Sequence, residues 1–414
     1  MEHPLKLIGP FRQILTMRDL PLKGALHDDE LEVIADGGIL ESEGRIVDIG
    51  NFNHLLKRNP SQVETPIGVD SVCLPGLVDA HTHICYAGSR AGDYAMRSAG
   101  KTYLEIAQAG GGIWSTVQAT RSASSNQLLN LTKERAKKLL TSGITTAEVK
   151  SGYGLDVKQE LKMLRVINQL NDDLDIDLIP TCLAAHVLPK DFSGNNDDYL
   201  THLIEDLLPK VKKESLSNRV DIFIEESAFS EDQGIRYLKE AKAFGFEITV
   251  HADQFHTGGS EAAIACGAVS ADHLEASGDR EIQLLADSDT VAVALPGASL
   301  GLGEHFAPAR KILDADVALA IASDWNPGSA PMGDLLTQAA LLGIYERLTY
   351  AEVLAGITFR AAAALRQEEV GRLRQGALCD LVSFPTSDYR DILYYQGSMK
   401  PEQVWKRGNE VRRH

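Results

Sequence analysis

Two histidines one residue apart, His81 and His83, stand in the stretch 74–90, LPGLVDAHTHICYAGSR. In an extended backbone side chains alternate faces, so both imidazoles leave the strand end on the same side. Imidazoles so placed can share one cation, and nitrogen ligands suit zinc or iron. A bare His-x-His would read as a surface pair. The apolar lead-in of Leu74, Leu77 and Val78, together with partners downstream, points to a metal instead. His251 in EITVHAD adds a third imidazole, and Asp324 in IASDWNPG adds a carboxylate. A catalytic metal needs a few fixed ligands and an open position, so His81, His83, His251 and Asp324 are the candidate set for one zinc or iron ion. A bound cation lowers the pKa of its water from about 15.7 toward about 7, and a base must still take the proton. His273, in SADHLEA, and Asp324 are the candidates for that duty.

Other residues offer narrower chemistry. Arg90 follows the histidine pair in AGSR and could grip a carboxylate bidentately, which suits an acidic substrate. Lys150 could be carboxylated and bridge two metals with His186, but an ion pair with Glu148 is the simpler reading. Gly110 to Gly112 lack the spacing of a phosphate loop and read as a flexible loop over the site. In WNPGSAPMGD, Asn326 and the amides of Gly328 and Ser329 could meet a ligand or merely turn the chain. Glu225 and Glu226 carry no assignment, since ion pairing explains them equally well.

These residues need a scaffold that brings distant segments together. From about 74 to 364 the pattern repeats as apolar strand, turn and amphipathic helix. Candidate strands are LPGLVDA, ITTAEVK, DLIPTCLAA, VDIFIEE, EITVHA, AVSADH, TVAVAL and VALAIASD. Eight such strands alternating with helices predict an α/β fold, a closed (β/α)8 TIM-type barrel, with an open doubly wound sheet as the runner-up. His81 and His83, Lys150, His186, Glu225, His251, His273 and Asp324 then all fall at strand ends, on the one rim where such barrels place their catalytic loops. Residues 1–73 and 365–414 read as short strands and turns, each piece too small for its own core. They are expected to form one small β-sandwich domain from both termini, flanking the barrel domain 74–364.

The chain has 414 residues, 44% hydrophobic and 24% charged, as in soluble globular proteins. A net charge of −17 disfavours nucleic acid or an anionic membrane as partner, without excluding a local basic pocket. The five cysteines are scattered and odd in number, which predicts no disulfide framework. Early charges argue against a signal peptide and no apolar run approaches a membrane span, so a cytoplasmic location is expected.

PGLVDAHTH with HAD, a strand-six histidine and SD resembles the amidohydrolase superfamily. The composite of HTHICYAGSRAGDYAMRSAGKTYLEIAQAGGGIWSTVQATR, TTAEVKSGYGLD, VHADQF, SADHLE, LPGASLGL and ASDWNPGSAPM is similar, more narrowly, to the imidazolonepropionase family of histidine degradation. That resemblance implies hydrolysis of the cyclic amide 4-imidazolone-5-propanoate to N-formimidoyl-L-glutamate. It implies one zinc or iron held by His81, His83, His251 and Asp324, with His273 assisting at the water. Substrate contacts carry over to Arg90, Tyr103, Tyr153, His186 and Gln254, with Asn326, Gly328 and Ser329 lining the product end. A homodimer is expected only by analogy with similar barrels.

One position departs from many related deaminases, which carry a glutamate three residues after the strand-five histidine. Here it is Gln254, whose amide cannot exchange protons at neutral pH and would hydrogen-bond the substrate instead. Acid and base duty then shifts to His273 and Asp324, since Asp253 should point elsewhere. The competing functions are a hydantoinase-like cyclic amidase using Lys150, an aromatic deaminase, or an inactive barrel kept for assembly.

Overall fold

The computed structural model describes residues 5–58, 63–64, 70–102, 105–106 and 109–413. The eight apolar segments become β1 (Leu77–Asp79), β2 (Ile144–Lys150), β3 (Asp177–Ala185), β4 (Arg219–Phe223), β5 (Glu247–Ala252), β6 (Ser270–His273), β7 (Val291–Ala294) and β8 (Leu319–Ile321). They lie side by side in chain order in one eight-stranded sheet, every neighbouring pair parallel. Almost every residue in them is buried, as expected where helices cover one face and the other lines a closed core.

The sheet shuts at its C-terminal rim. Thr82 bridges Trp325 in parallel, His83 N–H donates to Trp325 O at 2.9 Å, and Asp324 N–H donates to His81 O at 3.0 Å. Below that rim a side chain spans the seam: the Asp79 carboxylate accepts from Ser323 N–H at 2.9 Å and from Ser323 Oγ at 2.5 Å. The segments carrying His81, His83 and Asp324 are thereby stitched directly to one another. This is the (β/α)8 barrel that the strand count implied.

Local sequence sets the connecting helices. Ser124, Asp156 and Ser230 each accept a backbone N–H at a helix start, for Ser125–Thr141, Val157–Asp173 and Glu231–Ala243 respectively. The buried Glu160 turns back on the loop before its own helix and accepts the N–H groups of Gly152, Gly154 and Leu155 at 3.1, 2.7 and 2.8 Å. Tyr153 is thus held on a loop whose backbone donors are satisfied from below.

Both termini build the second sheet. Strands Lys6–Leu15, Val33–Ser42 and Arg45–Asn51 join Val72–Pro75 from the N-terminal side, and Leu381–Phe384, Gln403–Lys406 and Asn409–Arg413 join from the C-terminal side. The sheet curls over: Phe11 and Trp405, on strands that are not neighbours, meet edge to face with centroids 6.0 Å apart. Ile14, Ile39, Ile46, Cys73 and Leu381 fill the space between them. Lys406 fastens this sheet to the barrel, donating to Asp380 at 2.6 Å, Asp177 at 2.7 Å and Thr145 O at 3.0 Å. The five cysteines are buried and unpaired. Among the described residues no helix is long and apolar enough to cross a membrane.

Candidate active site

Three imidazoles converge at the rim. His83 Nε2 lies 3.1 Å from His81 Nε2 and 3.3 Å from His251 Nε2. Asp324 Oδ1 lies 3.4 Å from His83 Nε2 and 3.6 Å from His81 Nε2. The groups come from the ends of β1, β5 and β8, and all are buried. Asp324 and His273 both hold positive φ, 48° and 90°, so the chain turns sharply as it leaves β8 and β6. Such backbone costs energy in a residue with a Cβ and marks sites where side-chain aim matters more than relaxation.

The donor set fits a cation. His81 Nδ1 hydrogen-bonds Asp272 Oδ2 at 2.6 Å, which places its proton on Nδ1, and His251 Nδ1 lies 2.8 Å from Asp221 Oδ2, a charge contact that favours the same tautomer. Both Nε2 lone pairs then point at His83 Nε2, with at most one proton among three nitrogens. A proton on His83 Nε2 could satisfy only one of these two contacts, whereas a cation among the three nitrogens satisfies both. A tetrahedral metal with nitrogens at about 2.1 Å would set them about 3.4 Å apart. Burial pushes the His83 and His251 imidazoles down to about 3, and His81 also well down, so all three stay neutral as ligands must.

Other expected residues gather around this floor. A cavity of about 520 Å³ opens above it, walled by Arg90, Tyr153, His186, Gln254, His273, Asn326, Gly328 and Ser329. Tyr103 lies outside the described residues. His186 Nδ1 donates to Gly152 O at 3.0 Å and its ring stacks on His83, centroids 5.7 Å apart, leaving Nε2 as an acceptor. Arg90 uses Nε on Asp93 at 2.8 Å, while the same carboxylate oxygen accepts Gly112 N–H at 2.8 Å. The glycine-rich loop is thereby tied to the guanidinium. Asp253 is turned away, accepting from Ser260 Oγ at 2.5 Å and Ser277 Oγ at 2.7 Å.

The rim loop after β8 is organised by Asn326. Its Oδ1 accepts the N–H groups of Gly328 and Ser329 at 2.7 and 2.8 Å, so those amides face the asparagine and not the cavity. Its Nδ2 donates to Asp324 Oδ2 at 2.9 Å. Burial raises the Asp324 carboxyl above the ordinary range, against the pull of His273 and His251. Burial would lower His273, but Glu275, 3.4 Å from its Nδ1, with Asp324 and Asp272, raises it above the usual imidazole value. His273 is the histidine of this group that holds a proton most readily.

Lys150 is fully buried beneath the histidines, its Nζ 2.6 Å from Glu148, 2.8 Å from Asp221 and 3.5 Å from Asp272. Those carboxylates hold its pKa up despite burial, so it is an ammonium in an ion-pair cluster, as the simpler sequence reading had it. Glu225 accepts the Phe255 and His256 N–H groups at 3.0 and 3.2 Å and braces the loop after β5. Glu226 is exposed.

Sequence reasoning missed Arg97, which also lines the cavity and donates to Gly301 O at 2.9 Å. A usable signal existed: Arg97 lies seven residues beyond Arg90 along Ala91–Ser98, two helical turns on the same side. Asp221 and Asp272 were also missed as partners of His251 and His81. Their signal was an acid within a buried barrel strand, Asp221 in RVDIF and Asp272 in SADH.

Comparison with known proteins places this geometry. The model of the amidohydrolase family matches residues 72–411. The imidazolonepropionase of Bacillus cytotoxicus is 39% identical over 409 residues, covering 97% of this chain and 96% of that protein. That of Myxococcus xanthus is 44% identical over 336 residues, covering 81% and 80%. Among solved structures, an adenosine deaminase from Xanthomonas campestris with bound zinc superposes with a TM-score of 0.71 at 18% identity, covering 98% of this chain and 92% of that one. A triazine hydrolase variant superposes with a TM-score of 0.75 at 16% identity, covering 100% and 95%. Identities that low speak to the fold alone.

Proposed function

This chain belongs to the amidohydrolase family and, within it, to the imidazolonepropionases, and from that premise we propose that it hydrolyses 4-imidazolone-5-propanoate to N-formimidoyl-L-glutamate in histidine degradation. It is a metal-dependent hydrolase of C–N bonds. The observation that carries the substrate reading is a guanidinium, Arg90, in the wall of the same cavity whose floor gathers His83, His251 and Asp324.

One zinc or iron ion, held by His81, His83, His251 and Asp324, would when bound supply a nucleophile from water at neutral pH and polarise the ring carbonyl. Arg90 takes the propionate carboxylate through its terminal nitrogens, since Nε is already held by Asp93. Tyr153 and His186 orient the ring, and Tyr103 joins them by resemblance. Gln254 hydrogen-bonds the substrate without exchanging protons. Asp324, beside the open side of the ligand set, takes a proton from the attacking water, and His273 assists it. The C–N bond to the carbonyl breaks, the water oxygen enters the new carboxylate, and the departing ring nitrogen gains the proton. Asn326, Gly328 and Ser329 line the end where that carboxylate forms.

Purified protein should release N-formimidoylglutamate from imidazolone propionate as the imidazolone absorbance decays. Elemental analysis should find one transition metal per chain. Ammonia released from a purine or pyrimidine, with no formimidoylglutamate, would replace this reading with a deaminase. Two metals per chain would favour the hydantoinase-like alternative. The unpaired cysteines support a cytoplasmic setting.

A further inference from the structure

Beneath the three histidines lies a buried charge cluster that no step of the proposed reaction uses. Lys150 Nζ reaches Oδ2 of Asp221 at 2.8 Å and Oδ2 of Asp272 at 3.5 Å. These are the same oxygens that face His251 Nδ1 at 2.8 Å and His81 Nδ1 at 2.6 Å. The other oxygen of each carboxylate is fixed separately: Asp221 Oδ1 by the His251 N–H at 3.2 Å, Asp272 Oδ1 by Ser270 Oγ at 2.7 Å. The lysine also touches the segment that carries the third histidine, donating its backbone N–H to Thr82 O at 2.9 Å between His81 and His83.

We propose that Lys150 is a positioning residue for the metal, holding through Asp221 and Asp272 the two carboxylates that orient His251 and His81. The inference rests on the metal-ligand reading above and adds the group that governs how tightly the ion is kept. Carboxylate partners of ligand imidazoles fix the tautomer and ring direction, and their loss typically costs metal affinity by about tenfold to 100-fold. Here one ammonium serves two such partners. Glu148, although 2.6 Å from Lys150, otherwise pairs with Thr181 Oγ1 at 2.5 Å and Arg219 Nε at 3.5 Å among the described residues. A merely structural ion pair would therefore depend on Glu148. A positioning role depends on the two aspartates.

That difference is testable with zinc alone, by competition against a chromogenic chelator, with the fold followed by far-ultraviolet circular dichroism. Lys150→Met is expected to weaken zinc binding by about tenfold to 100-fold. Removing one member of a buried ion pair can unfold a protein. The double variant Lys150→Met with Glu148→Gln removes one charge of each sign and keeps the buried net charge unchanged. It should fold like the parent and bind zinc as weakly as the single variant. Zinc affinity within about threefold of the parent in the folded double variant overturns the proposal and assigns Lys150 to Glu148. Parent protein that takes up no zinc overturns it too. Parent protein that binds zinc but leaves imidazolone propionate intact overturns the substrate reading only, because the positioning role is read from affinity.

Discussion

Asn326 Nδ2 donates to Asp324 Oδ2 at 2.9 Å, while Asp324 Oδ1 faces His83 Nε2 at 3.4 Å. The two oxygens of one carboxylate are thereby given separate surroundings, one amide-bound and one turned to the imidazoles. Asn326→Ala leaves the first oxygen only the long contact from Ser329 Oγ at 3.5 Å and lets the carboxylate rotate about its side chain. Loss of a hydrogen bond to a charged group costs about 1.5–3 kcal/mol, so kcat/KM should fall by about 10- to 150-fold. The Gly328 and Ser329 amides also lose their acceptor, so part of that fall should appear in KM. Steady-state kinetics on the metal-loaded variant decides it, and parental values of both constants would show that Asp324 is aimed by its backbone alone.

His251→Ala should abolish metal retention and turnover while leaving the barrel intact. Its Nε2 is one of three buried ring nitrogens within reach of a single point, and the variant leaves two. Its Cα sits within β5, which is secured on both sides by backbone pairing with β4 and β6. Elemental analysis after dialysis reads the metal and circular dichroism reads the fold. A variant that keeps a full complement of metal would remove His251 from the ligand set.

Arg90 can be tested without touching it. A Cβ at Gly328 would meet Arg90 Nη1, the mobile end of a long side chain, so the fold should tolerate Gly328→Ala while the guanidinium is displaced. Both Gly328→Ala and Arg90→Ala are expected to raise KM for the acidic substrate by about tenfold or more, with a smaller change in kcat. A neutral ester of the substrate should discriminate little between parent and variants. An unchanged kcat/KM for the acid in Arg90→Ala would discredit the clamp.

The barrel was legible because its strands, buried on both faces, appear as short, largely apolar runs separated by helix signals. Their ends were less so. VDIFIEE reads as one strand, yet β4 stops at Phe223: Ile224 still donates its N–H to His251 O at 3.2 Å but also bridges Phe229, and the Glu225 carboxylate is claimed by the loop after β5. His81, His83, His251 and Asp324 could be picked out since strand ends in a barrel share a rim. Which carboxylate meets which imidazole could not. Asp221 and Asp272 lie two and one residues from the ends of their strands, and alternation alone leaves their partners open. Only the closed ring brings Asp272 to His81, 191 residues away in the chain. Arg97 escaped notice for a related reason: its role depends on Gly301, in the short helix after β7, and Gly328, in the loop after β8, lying beside it.

Removing the metal should be visible in stability as well as in rate. Without a cation, the His81 and His83 nitrogens face each other at 3.1 Å and the His251 and His83 nitrogens at 3.3 Å. A metal that binds the folded chain and not the unfolded one stabilises it by about 4 kcal/mol when present at about a thousand times its dissociation constant. Unfolding entropy near 60 °C is about 2.1 cal/mol/K per residue, which over a chain of this length converts that gain into only about 5 °C in Tm. The shift is modest because the molecule is large, not because the ion is weakly held. The control is the variant that lacks a ligand: His251→Ala, titrated with the same zinc, should show little or none of the shift. Calorimetry on chelated and reloaded protein measures both. An equal rise in parent and variant would mean that zinc acts elsewhere on the molecule, and the three histidines would then have to be explained without it.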